Sequence, residues 1–579
     1  MGAGERQGGV SGLLQVAANT LWLLSSLPEH LAFRRALRDV EGTQRALLLR
    51  LLRRNADTEI GRRYGFGAIR SIAEYQARVP LSTYEDYREA VERIGVGEQG
   101  VLTVDPVLLM EPTSGSTAAT KLIPYTATLK TEFQRAVSAW MVDLFLHDPR
   151  LLLGQAYWSI SPVTRQGRYT AAGIPIGFEE DSEYLGGLQG ALARALQAVP
   201  PLVRHISDMD AFRYTTLLFL LRSRSLALVS VWNPTFLTLL VGELGEWWPQ
   251  LARDIAEGTF TPPGVVAPEL RQQARALNRP NARRAEEIRQ AFEAEGDAGS
   301  IHARIWPRLR LVSCWADGHA AHYLPDVARL FPQARVQPKG LIATEGFVSF
   351  PLVGHAGAVL ALRSHFFEFL PVDDGVGAQH AVPLQAHEVE QGRSYSIVLT
   401  TGGGLYRYQL HDVVEVVGWR GGCPLVRFTG KEAHVSDHFG EKVNERHVRQ
   451  VFDTLFAPYE VRPTFAMLAC EEHGGRHAYT LFIEAPHLPD EGLHLLVMDI
   501  EAALQENFHY QYCRDLGQLD AVRLFRIREG ALESYMAGCQ AHGQRAGDIK
   551  PIALHRSGGW TGSFKGELLP ETCRYGERR

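Results

Sequence analysis

The chain has 579 residues, of which 45% are apolar and 22% are charged, and its formal net charge is −5. This composition is typical of a globular protein with more than one domain. Basic residues are scattered among acidic ones rather than collected in one block, so nucleic acid is not an expected partner. The 6 cysteines are far apart and form no C-x-x-C pair, which indicates reduced thiols in a cytoplasmic protein without a zinc site or disulfides.

The N-terminal region contains the longest apolar run, from Leu13 to Leu27. Polar residues interrupt this run and it is too short for a membrane span, and it has neither the basic leader nor the cleavage site of a signal peptide. We expect an amphipathic helix that ends at Pro28, with contact between this helix and a membrane surface as the alternative. From Phe33 onward, apolar residues at helical spacing predict a second amphipathic helix with a solvated, arginine-rich face.

Strands and helices alternate along the middle of the chain. A strand is expected from Val101 to Met110 and a helix from Thr131 to Leu146. Two apolar runs, Leu226 to Trp232 and Leu309 to Cys314, each precede a predicted helix, and Thr235 is the expected cap of the first helix. Repeated β-α units predict sheets covered by helices, and ligands in such folds lie beyond the strand ends.

The character of the chain changes beyond about Thr429. A strand, a glycine turn, a strand, a helix, a strand and a helix follow in that order between Thr464 and Ala541, which predicts a smaller two-layer α+β domain. We therefore place a domain boundary near residue 430. The predicted fold class is α/β, with a large N-terminal domain of helix-covered β-sheets over residues 1–430 and a small C-terminal domain over residues 431–579.

The most distinctive segment runs from Glu111 to Thr126 and reads E-P-T-S-G-S-T-A-A-T-K-L-I-P-Y-T. It offers little to bury in a core, but it supplies hydroxyl donors, unobstructed backbone N–H groups and, at Lys121, a cation. A triphosphate needs such groups around it. The glycine and lysine spacing differs from that of a Walker A loop. The alternative interpretation is a solvated Ser/Thr loop without a ligand.

Two further segments place carboxylates near strand ends. In K-G-L-I-A-T-E-G, which starts at Lys339, an apolar strand runs into a turn that carries Glu345. A buried carboxylate is costly unless it is paired or binds a metal, and a solvated loop position is the alternative. In G-L-Y-R-Y-Q-L-H-D-V-V-E-V, which starts at Gly404, Asp412 heads a β-branched run. We expect Asp412 at the mouth of a strand, within reach of a ligand hydroxyl.

The three segments, in this order, resemble the GH3 family of acyl-acid amido synthetases, a branch of the adenylate-forming enzymes, and we expect a bacterial-type member. Flanking stretches such as F-E-F-L-P at Phe367 also match, so the resemblance extends from about Phe33 to the mid-550s. It implies an ATP-dependent ligase that uses Mg²⁺ and joins a carboxylic acid to an amino acid or other amine through an acyl-adenylate. The alternatives are an acyl-CoA ligase, which shares the first step, and a catalytically silent nucleotide-binding member.

The resemblance also implies roles for individual residues. Glu345 would hold Mg²⁺ at the catalytic centre, Thr344 would contact the α-phosphate and Asp412 would bind the ribose hydroxyls. The residues implied in nucleotide binding are Ser114, Gly115, Ser116, Thr117, Lys121, Thr344, Tyr406, Arg407, Asp412 and Lys431. The small domain, which is mobile in the family, would bring a catalytic lysine to the adenylation site.

Two lysines compete for the catalytic role. Lys550 lies in G-Q-R-A-G-D-I-K-P, which resembles the family pattern G-x-x-x-x-Q-Y-K-x-P, whereas Lys565 has only a local likeness, so we favour Lys550. His411 departs from the family, which usually has glycine there. A general base and a packed side chain are both open interpretations of this histidine.

Apolar side chains are expected to form the acyl pocket, although such residues are equally common in a core. They are Trp158, Ile174, Phe178 and Trp232. The expected partners are a small carboxylic acid and an amine, with no nucleic acid and no membrane span. The sequence leaves the acid, the amine and the oligomeric state open, with a monomer favoured.

Overall fold

The computed structural model describes residues 4–113, 121–159, 168–177, 187–372, 382–431, 435–436, 438–439, 441, 443–459, 462–515, 517–541, 544 and 549–570. The chain divides into two compact units. One consists of Met1–Leu410 and Val414–Phe428, and the other of His411–Val413 and Thr429–Arg579. The assignment of residues 1–430 and 431–579 to two domains with separate roles stays a prediction, as does the mobility of the second.

The first unit combines a helical N-terminal region with several sheets. Its helices are α1 (Gly4–Ala36), α2 (Val40–Arg54), α3 (Glu59–Arg63), α4 (Ile72–Arg78), α5 (Arg88–Gly95), α6 (Ala127–His147), α7 (Gly187–Leu196), α8 (Met209–Arg222), α9 (Pro234–Gly242), α10 (Leu244–Glu257), α11 (Pro268–Leu277), α12 (Ala282–Glu293), α13 (Ala298–Ile305) and α14 (Leu324–Leu330). Its strands are β1 (Val107–Pro112), β2 (Leu122–Thr126), β3 (Gln155–Trp158), β4 (Arg168–Tyr169), β5 (Pro175–Ile176), β6 (Leu226–Ser230), β7 (Leu311–Cys314), β8 (Arg335–Pro338), β9 (Ile342–Ala343), β10 (Gly346–Phe347), β11 (Ser349–Pro351), β12 (Ala358–Leu360), β13 (Phe366–Pro371), β14 (Leu384–Gln385), β15 (Ser394–Thr400), β16 (Tyr408–Arg420) and β17 (Cys423–Lys431).

Helix α1 continues past Pro28, where the sequence predicted its end. Proline removes one backbone donor from a helix, but packing on both sides compensates, because Trp22 and Phe33 are buried in the main core of this unit. Helix α1 ends at Ala36, and Asp39 caps α2 by accepting a hydrogen bond of 3.0 Å from the N–H of Gly42. The helix predicted from Phe33 onward is therefore two helices. Among the described helices, none is long and apolar enough to cross a membrane.

A parallel sheet with the order β3-β6-β7-β8 lies among the helices of the first unit. The alternation of strands and helices predicted for this part of the chain is confirmed. Helix α9 is capped by Asn233, which accepts a hydrogen bond of 3.0 Å from the N–H of Thr235, so the prediction of Thr235 as the cap was wrong. Parallel strands end at a common edge, and the last residues of these strands are Trp158, Ser230, Cys314 and Pro338.

Besides the two-stranded sheet of β9 and β10, two more sheets belong to the scaffold of this unit. The larger has the order β11-β12-β17-β16-β15-β13-β14, and the smaller has the order β2-β1-β5-β4, in which β1 and β2 form an antiparallel hairpin. Strand β1 begins at Val107 rather than at Val101. The turn-rich residues before Val107 therefore lie outside the strand that the sequence predicted there.

Strand β16 has an irregularity at His411, whose φ of 58° is left-handed. This conformation interrupts the alternation of inward and outward side chains, so that Asp412, Val413 and Val414 are buried in succession. The strand already begins at Tyr408. Asp412 therefore lies inside a strand and is 3% exposed, rather than standing at the strand mouth as the sequence predicted.

The second unit is built on a central sheet with the order β23-β20-β21-β22-β24. Its elements are β18 (Val435–Ser436), β19 (Val443–Asn444), α15 (Glu445–Phe456), β20 (Phe465–His473), β21 (Arg476–Glu484), α16 (Asp490–Gln505), α17 (Phe508–Asp515), β22 (Asp520–Ile527), α18 (Ala531–Ala541), β23 (Leu554–His555) and β24 (Gly566–Leu568). The predicted order of strands and helices is confirmed, and β18, β19, α15, α17, β23 and β24 are additions to it. Helices α15, α16 and α17 share an apolar core with one face of β20, and α18 covers the other face.

A buried ion pair joins three parts of the first unit. Nη2 of Arg407 lies 3.0 Å from Oε1 of Glu368 in β13, and the two side chains are 5% and 1% exposed. Nη1 of Arg407 donates hydrogen bonds of 2.9 and 2.7 Å to the carbonyl oxygens of Gln76 and Val79, at the end of α4. A buried charge is tolerated when it is paired and hydrogen-bonded in this way. The pair therefore fixes the backbone that leads into β16.

Replacing Glu368 by leucine should destabilise the first unit strongly, because it leaves the guanidinium of Arg407 buried without its carboxylate. We expect a loss of about 3–5 kcal/mol, seen as a lower midpoint in thermal and urea unfolding. The matched control is Glu390→Leu, since Glu390 and Arg393 form an exposed pair of 3.6 Å. This control should cost less than about 1 kcal/mol. Equal shifts for the two variants would contradict the prediction.

Candidate active site

The hairpin of β1 and β2 holds the two ends of the hydroxyl-rich segment together. The N–H of Thr113 donates a hydrogen bond of 2.9 Å to the carbonyl oxygen of Lys121, directly beyond the pairing of Pro112 with Leu122. Nζ of Lys121 lies over the ring of Tyr84, 5.6 Å from its centroid. The predicted phosphate-loop residues between these ends, Ser114, Gly115, Ser116 and Thr117, lie outside the described residues.

Thr344 and Glu345 form the turn between β9 and β10 and are half-buried. The hydroxyl of Tyr125, in β2, donates a hydrogen bond of 2.6 Å to the carbonyl oxygen of Thr344. The hydroxyl of Tyr408, at the start of β16, donates one of 3.3 Å to Oε1 of Glu345. Burial, and then the Glu345 carboxylate, raise the pKa of Tyr408 well above its usual value, so this hydroxyl keeps its proton. The carboxylate and the turn are thus held by side chains from two different sheets.

Tyrosines also connect this turn with the end of the hairpin. The hydroxyl of Tyr84 accepts a hydrogen bond of 2.9 Å from the N–H of Leu122. Tyr87, in the same short 3₁₀ helix, has its ring 6.2 Å from that of Tyr408. The 3₁₀ helix thus contacts the hairpin through Tyr84 and, through the ring of Tyr87, the tyrosine that holds Glu345.

A buried polar network supports the far side of the same turn. Nε2 of His365 accepts a hydrogen bond of 2.9 Å from the N–H of Phe347, in β10. The other ring nitrogen of His365, Nδ1, faces helix α6. That Nδ1 lies 3.1 Å from Oε2 of Glu132, whose carboxylate also accepts the N–H of Gly402 at 2.9 and 3.1 Å. Helix α6 is thereby tied both to β10 and to the glycine-rich loop before β16.

Tyr406 and Arg407 lie in the interior, where protein groups bind their polar atoms. The hydroxyl of Tyr406, which is 0% exposed, donates a hydrogen bond of 3.0 Å to the carbonyl oxygen of Leu102. Arg407 is bound to Glu368, as described above. These two side chains therefore support the site from behind, and the structure gives neither of them a surface toward a ligand.

The predicted acyl-pocket residues separate into two groups. Trp158 ends β3, and Trp232 follows β6 at the same edge of the parallel sheet. The ring of Trp232 lies 5.6 Å from that of Trp315, which follows β7. Ile174 instead precedes β5 in the small mixed sheet and is half-buried. Phe178 lies outside the described residues.

The candidate lysines of the second unit have different environments. Lys550 has an exposed side chain, and its carbonyl oxygen accepts a hydrogen bond of 3.0 Å from the hydroxyl of Tyr535. Nζ of Lys565 lies 3.7 Å from Oε1 of Glu529, and both of these side chains are more than three-quarters exposed, at 76% and 77%. Lys431 ends β17, and its side chain lies outside the described part of the chain.

Sequence reasoning missed the groups that hold the site together. The hydroxyls of Tyr125 and Tyr408 and the pair of His365 and Glu132 were not singled out, although both tyrosines lie inside the distinctive segments. The position of Tyr125 could have indicated its role. It lies in β2, two residues before the first residue of α6, so a strand and a helix both fix the backbone there. Among the described residues, no cluster of three or more His, Cys, Asp or Glu side chains could hold a metal. Glu345 is thus a single carboxylate ligand candidate, which suffices for Mg²⁺ that also binds phosphates.

Three family models match successive parts of the chain. They are the GH3 family N-terminal domain over residues 30–336, the GH3 family central domain over residues 358–431 and the GH3 family C-terminal domain over residues 446–558. The chain belongs to the GH3 family. The family predicted from the three segments is therefore confirmed, and the bacterial-type assignment stays a prediction.

Relatives of this GH3 chain are amido synthetases. It is 25% identical over 563 residues to the probable indole-3-acetic acid-amido synthetase GH3.12 of Oryza sativa subsp. japonica, covering 90% of this chain and 92% of that protein. It is 24% identical over 431 residues to the indole-3-acetic acid-amido synthetase GH3.4 of Arabidopsis thaliana, covering 72% of this chain and 71% of that protein. The predicted enzyme class, an acid-amido synthetase among the ligases, is confirmed.

A solved GH3 structure has the same fold. The structure of "GH3.15 acyl acid amido synthetase" matches this chain with a TM-score of 0.77 and 20% sequence identity, over 93% of this chain and 96% of that one. The same protein "in complex with 2,4-DB" matches with a TM-score of 0.79. The predicted fold class is confirmed by this likeness.

The glycine-rich loop before β16 should not tolerate a side chain at Gly402. A Cβ atom there would lie 2.3 Å from Cγ2 of Thr128 and 2.7 Å from Oε1 of Glu132. We expect Gly402→Ala to lower stability by about 1–3 kcal/mol, measured by thermal unfolding. Gly418→Ala is the matched control, because its Cβ atom would make only an ordinary contact of 3.7 Å with Leu425. An unchanged midpoint for Gly402→Ala would contradict the close packing of α6 on this loop.

Proposed function

We propose that this chain is an ATP-dependent ligase that adenylates a carboxylic acid and transfers the acyl group to an amino acid or another amine. The observation that supports this most strongly is the turn of Thr344 and Glu345, held by hydroxyls from two sheets and connected through tyrosines to the closed hairpin end. The half-buried carboxylate of Glu345 is therefore held in a fixed position. Lys121 lies at the hairpin end, over the ring of Tyr84. Membership of the GH3 family supports the same reaction.

The reaction has two steps, neither of which needs a nucleophile from the protein. In the first, an oxygen of the acid's carboxylate attacks the α-phosphorus of ATP, the bond to the bridging oxygen breaks, and pyrophosphate leaves. In the second, an amine nitrogen attacks the carbonyl carbon of the acyl-adenylate, AMP leaves, and the nitrogen loses a proton. Both steps are accelerated by neutralising phosphate charge and by orienting the reactants.

The proposal assigns the nucleotide to residues of the first unit together with Asp412 and Lys431, which belong to the second. Ser114, Gly115, Ser116, Thr117 and Lys121 surround the phosphates, Thr344 contacts the α-phosphate, and Asp412 binds the ribose hydroxyls, with Lys431 as a second cation. Glu345 fits Mg²⁺ because its carboxylate is fixed by Tyr408 and its turn by Tyr125. When bound, Mg²⁺ would neutralise phosphate charge during release of pyrophosphate. Tyr406 and Arg407 position this wall without contacting the nucleotide.

The acid and the catalytic lysine complete the proposed site. Trp158, Ile174, Phe178 and Trp232 wall the acyl pocket, and Lys550 supplies the ammonium for adenylation. Both substrates are small molecules. We further propose a cytoplasmic location and a monomeric state, and the described cysteines, which are buried and form no disulfide with one another, support a reducing environment.

Lys550→Ala should abolish most acid-dependent pyrophosphate release, whereas Lys565→Ala should not. The assay supplies ATP, Mg²⁺, an amine mixture and a panel of aryl and short-chain carboxylates. We expect Lys550→Ala to lower the rate about 10²- to 10³-fold, because it removes a cation from the phosphates. Lys565 is exposed and paired with Glu529, so its loss should change the rate less than about twofold. Collapse in Lys565→Ala alone would transfer the role to that lysine.

The same assay tests the function itself. We expect pyrophosphate release only when an acid is present. We also expect an amide product when an amine is supplied and coenzyme A is absent. A product formed only with coenzyme A would show the thioester-forming ligase instead. ATP binding without release for any acid would show a silent nucleotide-binding protein.

The support of Glu345 by Tyr408 gives a second prediction. Tyr408→Phe keeps the buried ring and removes the donor, so the Mg²⁺ concentration for half-maximal rate should rise roughly tenfold. Glu345→Gln, which removes the ligand charge, should lower the maximal rate by roughly a hundredfold. Tyr395→Phe is the matched control, because its hydroxyl accepts a hydrogen bond from the N–H of Glu390, away from the site. An unchanged Mg²⁺ requirement in Tyr408→Phe would show that Glu345 needs no such support.

A further inference from the structure

A lysine lies among tryptophans at the C-terminal edge of the parallel sheet. Nζ of Lys339, which directly follows β8, is 4.9 Å from the ring centroid of Trp232 and 5.9 Å from that of Trp140, in α6. It donates a hydrogen bond of 2.6 Å to Oγ of Ser230, the last residue of β6. Distances under about 6 Å between an ammonium and a ring centroid are typical of cation–π contacts. Lys339 is 6% exposed, whereas Trp232, one of its two ring contacts, is only half-buried.

The register of the sheet puts this lysine in the proposed acyl pocket. Ser230 pairs with Trp158 in the neighbouring strand, and paired residues of parallel strands share one face of a sheet. Trp140 covers the same edge, where its Nε1 donates a hydrogen bond of 3.2 Å to Oε1 of Gln337. Lys339 is therefore a charged group beside tryptophan rings at this edge. A few polar groups in a mostly apolar pocket usually fix the orientation of a ligand.

The lysine and the proposed metal ligand Glu345 are held by separate sets of contacts. Lys339 and Glu345 belong to one short segment, but different parts of the structure hold its two ends. The first end is held by Ser230 in the parallel sheet, and the second by Tyr125 and Tyr408 in the other two sheets. Gly340, with φ of 74° and no room for a Cβ atom, which would lie 2.5 Å from the carbonyl oxygen of Ser349, turns the chain away after the lysine.

The basic residue at position 339 is a lysine rather than an arginine. Only seven of the 60 basic residues of the chain are lysines, so a compact ammonium is the exception in this sequence. Lysine provides a point charge, whereas arginine provides a broad planar fork. Burial raises the pKa of the neighbouring Cys314 to about 12, although the charge of Lys339 acts in the opposite direction. The thiol is therefore neutral at physiological pH and adds no negative charge to the pocket.

We propose that Lys339 binds an oxygen-bearing, preferably anionic group at the far end of the acyl acid, opposite the carboxylate that is adenylated. The aromatic walls would stack on the ring or chain between the two ends. This inference rests on the proposed adenylation of a carboxylic acid and names its substrate class: aromatic acids with a distal carboxylate or a similar acceptor.

The test compares acids that differ only at the distal end. Benzoate, phenylacetate and 3-phenylpropanoate are each supplied with a para carboxylate or a para methyl group, and kcat/KM is measured by pyrophosphate release. For at least one length, the wild-type protein should prefer the carboxylate by at least about tenfold. Lys339→Met should lower this preference by about ten- to a hundredfold through KM, and change kcat/KM of the methyl acid less than about threefold. Lys339→Arg should keep part of the preference, because the charge remains.

Controls separate a binding role from a structural one. Lys130→Met, on α6 of the same unit, should leave the preference unchanged. If Lys339→Met does not fold, Ser230→Ala is tested instead. This variant removes the 2.6 Å hydrogen bond between Lys339 and Ser230 and keeps the charge of Lys339. A reduced preference in that variant supports the proposal, and an unchanged one overturns it. A wild-type preference for the methyl acid at all three lengths overturns it, as does an equal loss for both acids in Lys339→Met.

Calorimetric binding of the same acids distinguishes this inference from the proposed function. If the wild type binds the acid with the distal carboxylate more tightly than Lys339→Met does, but no pyrophosphate is released, the subsite is supported and the proposed ligase activity is contradicted. If the wild type and Lys339→Met bind this acid equally and pyrophosphate release depends on an acid, the ligase activity is supported and the subsite is contradicted.

Discussion

A buried guanidinium determines much of the first unit. Arg407 has left-handed backbone dihedrals, with φ of 50°, and its side chain is bound to Glu368 and to the end of α4. A non-glycine residue pays for that backbone conformation, and the cost is offset here because the charged side chain finds all its partners in one place. The flanking residues Tyr406 and Tyr408 are consequently held in opposite roles. Tyr406 turns into the core, and Tyr408 reaches Glu345.

Hydroxyl groups perform the precise positioning in this site. Tyr125 and Tyr408 present buried hydroxyls to a backbone carbonyl and a carboxylate, and an aromatic ring brings rigidity that a serine or a lysine would lack. The network of His365, Glu132 and Gly402 fixes the opposite side. Buried polar networks of this kind are costly when one member is lost. The carboxylate is therefore supported from several elements that are distant in sequence.

The sequence predicted the fold class, the order of elements and the family, because these depend on local pattern and on short segments. It failed where tertiary contacts outweigh local preference. Pro28 did not end α1, since packing of both flanking turns outweighed the lost hydrogen bond. Asp412 lies inside β16 because the strand already begins at Tyr408, and the left-handed residue His411 makes three successive side chains buried. The sequence also did not reveal the partner of Arg407, because Glu368 is far away in the sequence, and the nucleotide-binding role of Arg407 stays a prediction.

The segment from Lys339 to Glu345 has a consequence for the size of the substrate. Its two ends are fixed by side chains from separate sheets, so the separation between the proposed distal subsite and the proposed adenylation centre is a property of the scaffold and not of the ligand. An acid that spans both must match that separation, since a carboxylate displaced by even an ångström reacts poorly. Selection by molecular length would then accompany selection by charge, and insertions in the loops around the pocket would change neither.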